Sequence, residues 1–179
     1  MQTTIDTRFG AITIRPTCAE DAAAFRELRL EALREHPQSF GADYTDQITR
    51  PIEMWEENVR RGAGNDLGIT YVAVAGETLA GMAGIFRSDY VKMQHSGMIW
   101  GVYVRPAWRG AGLADALIAA CMDWARGMRL RLVRLNVVTT NAAAIRCYIR
   151  CGFSVCGVEP EVVYVNGTYY DELSMIHRL

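Results

Sequence analysis

Between an apolar run and an amphipathic stretch, Arg109, Gly110, Ala111, Gly112, Leu113 and Ala114 form a turn of small residues. Small residues let the backbone come close to a ligand, and the first turn of a following helix presents N–H groups with no partner inside the helix. Those donors and the helix dipole both favour an anion, so VYVRPAWRGAGLADAL is a candidate phosphate or pyrophosphate cradle. The same Gly-x-Gly also serves as a tight strand-to-helix connection with no ligand, and both readings stay open on this segment alone.

Two familiar phosphate motifs do not fit. GxxxxGK[ST] requires a different spacing and a Lys that this turn lacks, which argues against nucleotide hydrolysis. A dinucleotide fingerprint belongs after the first strand with an acidic residue on the next strand. This turn lies past the midpoint, and the following RLVRLNVV carries no acid.

The elements that must position the turn follow from periodicity. Residues 11–15 alternate as a strand ending at Pro16, and from Ala19 a helical pattern buries Ala22, Phe25, Leu28 and Ala32, leaving Glu20, Arg26 and Arg29 to face water. His36 and Pro37 stop it, residues 38–49 read as a loop, and Pro51 opens a second helix with Ile52, Trp55 and Val59 on its apolar side, ending near Gly62. ITYVAVA, the Gly76-Glu77 turn and TLAGMAGIF form two strands; residues 89–97 connect them to a third, MIWGVYV, whose Gly101 leaves room for a ligand or marks a bulge. A helix over 112–125, a strand over 132–138, a helix over 141–150 and a strand over 151–158 come next. Asn166-Gly167 between 162–165 and 168–176 predicts a type I′ hairpin. The order implies one domain over residues 1–179, a mixed α/β sheet covered by helices.

Composition narrows the function classes. The chain of 179 residues is 50% hydrophobic, and its 19 Lys and Arg nearly balance 20 Asp and Glu, so no broad electrostatic footprint favours nucleic acid or an anionic membrane. The N-terminal residues lack a secretory pattern and no stretch reaches the ~20 apolar residues of a membrane span, which makes the cytoplasm the expected location. Five cysteines without a CxxC pair, and His36, His95 and His177 far apart, suggest structural thiols and no metal site.

The turn does not stand alone. Arg109, Gly112 and Ala114, within V-x-P-x-x-R-G-x-G at residues 104–112, together with Asn141, Ala144, Tyr148, Gly152 and Phe153, resemble the GCN5-related N-acetyltransferase family. The opening IRPTCAEDAAAFRELR and the closing GTYYDELSM are similar to the usual start and end of members, so the resemblance covers nearly the whole chain. It implies an acyl-CoA N-acyltransferase fold, in which a parallel strand pair, residues 98–104 and 132–138, splays to admit acetyl-CoA as acyl donor. Backbone near Val102 and Val104 would meet pantetheine, the N–H groups from Arg109 through Ala114 the pyrophosphate, and Asn141 would cap its helix, contact CoA, or do both.

The implied reaction is attack of a free amine on the thioester, without a metal. Tyr148 matches the tyrosine before Gly-Phe whose phenol lies near the CoA sulfur, where it would protonate the leaving thiolate; its spacing with Ala144 and Ile145 equally suits packing against the sheet. His95, Glu31, Asp171 and Glu172 are candidates for the base, and Phe40, Tyr44, Trp55, Trp100 and Tyr170 for an acceptor wall. The expected partner is an amine acceptor, a small molecule ahead of a peptide or protein, with homodimerisation open. A regulatory module that binds acyl-CoA without turnover is the main non-catalytic alternative.

Overall fold

A computed structural model describes residues 2–179. Its strands are β1 (Thr3–Thr7), β2 (Gly10–Pro16), β3 (Gly68–Ala75), β4 (Thr78–Arg87), β5 (Ser96–Val104), β6 (Leu132–Val138), β7 (Ser154–Val165) and β8 (Thr168–Arg178), and its helices are α1 (Ala22–Glu35), α2 (Tyr44–Ile48), α3 (Ile52–Gly62), α4 (Leu113–Gly127) and α5 (Ala142–Arg150). All eight strands join one sheet in the order β1-β2-β3-β4-β5-β6-β8-β7, antiparallel except for β5 and β6.

Helices cover both faces because the strands are apolar on both. On β3, Tyr71 and Ala73 point into one core with Leu117, Ile118 and Cys121 of α4, whereas Val72 points into the other with Phe25 and Leu28 of α1 and Trp55 and Val59 of α3. This is the period-two alternation of a strand buried from both sides. On α4 the buried positions Leu113, Leu117, Cys121 and Ala125 recur every four residues, which holds its N-terminus at the C-terminal end of β5.

The parallel pair parts early. Ser96, Gly97 and Met98 pair with Leu132, Val133 and Arg134, and beyond them the strands diverge. A bulge on β5 accompanies the divergence: Gly84 and Met82 of β4 face Trp100 and Tyr103, so β5 carries one extra residue there, and Gly101 takes φ +66°. Only glycine adopts that backbone at little cost.

Several elements differ from the sequence reading. β1 is largely exposed and its residues, TTIDT, carry no apolar alternation. The segment expected to be a loop contains α2, five residues long, whose cap Asp43 accepts from the backbone of Thr45 and Asp46. The two strands expected over 151–158 and 162–165 are one, β7, interrupted by register shifts near Gly157 and Glu161, the latter at φ +55°. Asn166 (φ +49°) and Gly167 (φ +84°) do form the left-handed pair of a type I′ turn. No helix among the described residues is long and apolar enough to cross a membrane.

Candidate active site

A cavity of about 780 Å³ fills the gap where β5 and β6 part. Val102, Val104, Arg109, Gly110, Gly112, Leu113, Ala114, Asn141 and Tyr148 all line it; Ala111 does not, and packs against the core instead. Gly110 and Gly112 have φ +75° and +76°. Gly112 is the N-cap of α4, no side chain caps that end, and a Cβ added to Gly112 would meet nothing within 4 Å. The cradle is therefore open, with helix-terminal donors facing the cavity.

Arg109 borders it with its side-chain donors already engaged. Its Nε donates to the Val104 carbonyl at 3.0 Å and its Nη2 lies 3.0 Å from His36 Nε2, so the imidazole nitrogen is the acceptor. Its backbone N–H donates to the Pro106 carbonyl at 3.2 Å, so Arg109 has no free main-chain donor, and its guanidinium occupies the Val104 carbonyl. Arg8, from the β1–β2 turn, donates to the Arg109 carbonyl at 2.9 Å, and Phe9 packs edge-on against Trp108 with ring centroids 5.2 Å apart. Neither contact is legible locally, since Arg8 is a hundred residues from the turn it supports.

Asn141 caps α5, its Oδ1 accepting from Ala144 N at 3.1 Å, while also lining the cavity. Tyr148 is buried, with its ring edge-on to Phe153. Burial raises its phenol well above the ordinary value, with the neighbouring Cys147 and Cys151 acting in the same direction, so it stays protonated at neutral pH.

The base candidates separate. His95 sits at the opposite end of β5 from the gap, with its carbonyl bound to Arg131 N. Glu31 is held by the Tyr103 hydroxyl at 2.9 Å and by Arg105 Nε at 3.0 Å, the latter as an ion pair without hydrogen-bond alignment. Asp171 is exposed and accepts from Glu161 N. Glu172 lies opposite Val138, and burial, followed in smaller part by Glu159, raises its carboxyl despite a hydrogen bond from Asn136. Of the aromatic residues, Phe40 and Trp100 line the gap, Trp55 is core, and Tyr44 and Tyr170 are half-buried away from it.

The histidines are dispersed, but Asp115, Cys147 and Cys151 bring their donor atoms within 4.8 Å of one another. Arg150 already engages both Asp115 oxygens. Burial first, and Asp115 next, push both thiols up, Cys147 to about 12. The three form a hydrogen-bonded cluster whose carboxylate already holds Arg150.

Comparison with known proteins agrees with this geometry. Residues 21–153 match the acetyltransferase (GNAT) family. An aminoglycoside N(6')-acetyltransferase type 1 of Stenotrophomonas maltophilia is 30% identical over 149 residues, covering 80% of this chain and 87% of that protein. An acetyltransferase of Streptococcus pneumoniae superposes with TM-score 0.84 at 25% identity, over 94% of this chain and 99% of that one. The yncA protein of Salmonella typhimurium, solved with its cofactor acetyl-CoA, superposes with TM-score 0.78 at 26% identity, over 94% of each chain. The chain belongs to the GNAT family: it is an acetyl-CoA-dependent N-acetyltransferase. The open cradle and the unpaired inner edges of β5 and β6 fit that donor.

Proposed function

We propose that the protein acetylates the amine of a small molecule by direct attack within a ternary complex. The observation that carries this reading is the uncapped N-terminus of α4, with Gly110 and Gly112 bare, at the mouth of the gap between β5 and β6. Backbone N–H groups from Gly110 to Ala114 hold the pyrophosphate of acetyl-CoA, that of Arg109 being already bonded to the Pro106 carbonyl, and the free edge of β5 around Val102 accepts the pantetheine amides in the manner of an added strand. Asn141, fixed as a helix cap, adds a polar contact from the facing side. When bound, the donor supplies an activated thioester carbonyl.

Tyr148, protonated and buried in the cavity wall, holds a proton for the departing sulfur, which lowers the cost of breaking the C–S bond. Cys147, the thiol on this wall, is not poised to attack instead, because burial and then Asp115 push it up to about 12. The amine enters as a free base beside Trp100 and Gly101. The relative that acts on an aminoglycoside supports a small acceptor over a protein. A cytoplasmic location, where acetyl-CoA is made, accompanies the reading.

The test is free-thiol release from acetyl-CoA across a broad panel of amines, with product masses determined. Acceptor-dependent release with a matching acetylated product is expected. Tight acetyl-CoA binding with no acceptor-dependent release across the panel would instead make the protein a sensor of acyl-CoA.

A further inference from the structure

Arg29 lies on α1 at a position whose helical spacing pointed to water, yet its guanidinium is inside. Its Cζ is 4.7 Å from the ring centre of Phe40 and 5.9 Å from that of Trp100, and Nη1 is buried without a hydrogen-bond partner. A Cβ built on Gly101 would lie 3.8 Å from that nitrogen, so the cation sits against the bulge of β5. Burial lowers its pKa to about 10, with no carboxylate acting against it, and it remains charged at neutral pH.

Its surroundings are consistent in sign. Arg29 lines a second cavity of about 540 Å³ that shares Trp100 with the cavity in the gap. Gln47, Asn58 and Arg61 are among its polar walls, Arg61 being paired with Glu57, and no Asp or Glu lines it among the described residues. Trp55 contributes a second buried donor without a partner, its indole Nε1. A buried charge without a counter-ion is costly, and stacking on two aromatic rings offsets only part of that cost. Both nitrogens are themselves sealed from solvent, so what the cavity offers a ligand is the cation of Arg29, which meets no acid among its walls.

We propose that the acceptor carries a carboxylate, bound by Arg29, on a short spacer from the amine that is acetylated: a molecule of the amino-acid type. This rests on the reading of the gap as the site of acetyl transfer. Trp100 borders both cavities and Gly101 adjoins the guanidinium, so a carboxylate on Arg29 directs a nearby amine toward the gap. A polycationic acceptor is disfavoured by the same charge.

The experiment compares L-amino acids, each with its amide and its decarboxylated amine, as acceptors with acetyl-CoA. The wild type should prefer the acid by about 100-fold or more in kcat/KM, since a charge-assisted pairing is absent from the analogues. Arg29→Met should bring that preference below about 10-fold by raising KM for the acid, while KM for acetyl-CoA stays unchanged and Tm does not fall, because a buried unpaired charge has been removed. Arg29→Lys should keep part of the preference. Amides or amines used as well as the acids by the wild type would overturn the proposal and leave acetyl transfer standing. So would an unchanged preference in Arg29→Met, with or without a fall in Tm. Acetyl-CoA binding with no turnover of any acid, amide or amine would overturn both.

Discussion

Arg8 Nη2 donates to the carbonyl of Arg109 at 2.9 Å, tying the turn of the N-terminal hairpin to the glycine turn that precedes α4. The contact leaves the rest of an exposed guanidinium beside Gly110, whose added Cβ would lie 3.4 Å from the same nitrogen. Arg8 is thus both a brace for the turn and a cation next to the proposed pyrophosphate. Arg8→Ala should weaken acetyl-CoA binding about threefold to tenfold at low salt and less at high salt, as expected for a screened surface charge. Melting should hardly change, since Phe9 against Trp108 still holds the hairpin. Unchanged affinity at low salt would leave Arg8 as a brace alone.

Gly112 separates strain from steric exclusion. At φ +76° any L side chain is strained, and Gly112→Ala should lower stability by about 1 kcal/mol. No protein atom lies near the added Cβ, so a larger residue meets only the space expected for phosphate. Gly112→Leu should therefore raise the Kd for acetyl-CoA by about 30-fold or more, beyond what Gly112→Asn does, because asparagine tolerates this backbone and is smaller. Calorimetry alongside thermal melts resolves the two effects. Equal affinity for Gly112→Leu and wild type would remove the cradle from this turn.

The glycine turn and its setting were legible because their parts are contiguous: a strand, two glycines and an apolar helix stripe stand within residues 98–125, and the hairpin at Asn166-Gly167 was legible for the same reason. Arg29 was not. A polar residue on an amphipathic helix reads as solvated, and what buries this one is Phe40 from the following segment and Trp100 from a distant strand. β1 escaped because an exposed edge strand has no apolar alternation, and α2 because five residues are too few for a period. The docking of Arg8 on Arg109 joins segments 101 residues apart whose strands are separated in the sheet by β3 and β4, so no local pattern signals it.

Arg15 and Asp21 provide a pH signature independent of the site. Both Asp21 oxygens accept from Arg15, at 2.7 and 2.8 Å, and one also takes the Cys18 amide. Burial pushes the Asp21 carboxyl up, but Arg15 and Cys18 outweigh it and hold it below the ordinary value. A carboxylate depressed in the folded state contributes stability that is complete above its unfolded pKa, near 4, and is lost as pH falls through the folded value. Acid should therefore lower Tm below about pH 4, and Asp21→Asn should flatten that dependence while costing about 2–3 kcal/mol at neutral pH. A variant with the same acid slope as wild type would place the acid sensitivity elsewhere.

Tyr148 carries the sharpest catalytic prediction. Its ring packs the α5 end against Phe153, and the residue lines the gap, so it is open to both a structural and a chemical role. Tyr148→Phe keeps the ring and deletes only the donor. If the phenol protonates the leaving sulfur, kcat should fall about 10-fold or more, with acetyl-CoA affinity and Tm close to wild type. Because burial raises the phenol, its titration lies above the working range, and the pH profile of the wild type should show no alkaline limb from Tyr148 near its ordinary value. Loss of kcat should then be uniform across neutral pH. The residual rate should also depend more steeply on the leaving group, so a donor with a more acidic thiol would recover part of the loss. An unchanged kcat with chemistry shown to be rate-limiting assigns Tyr148 to packing, as does a large drop in Tm with normal chemistry.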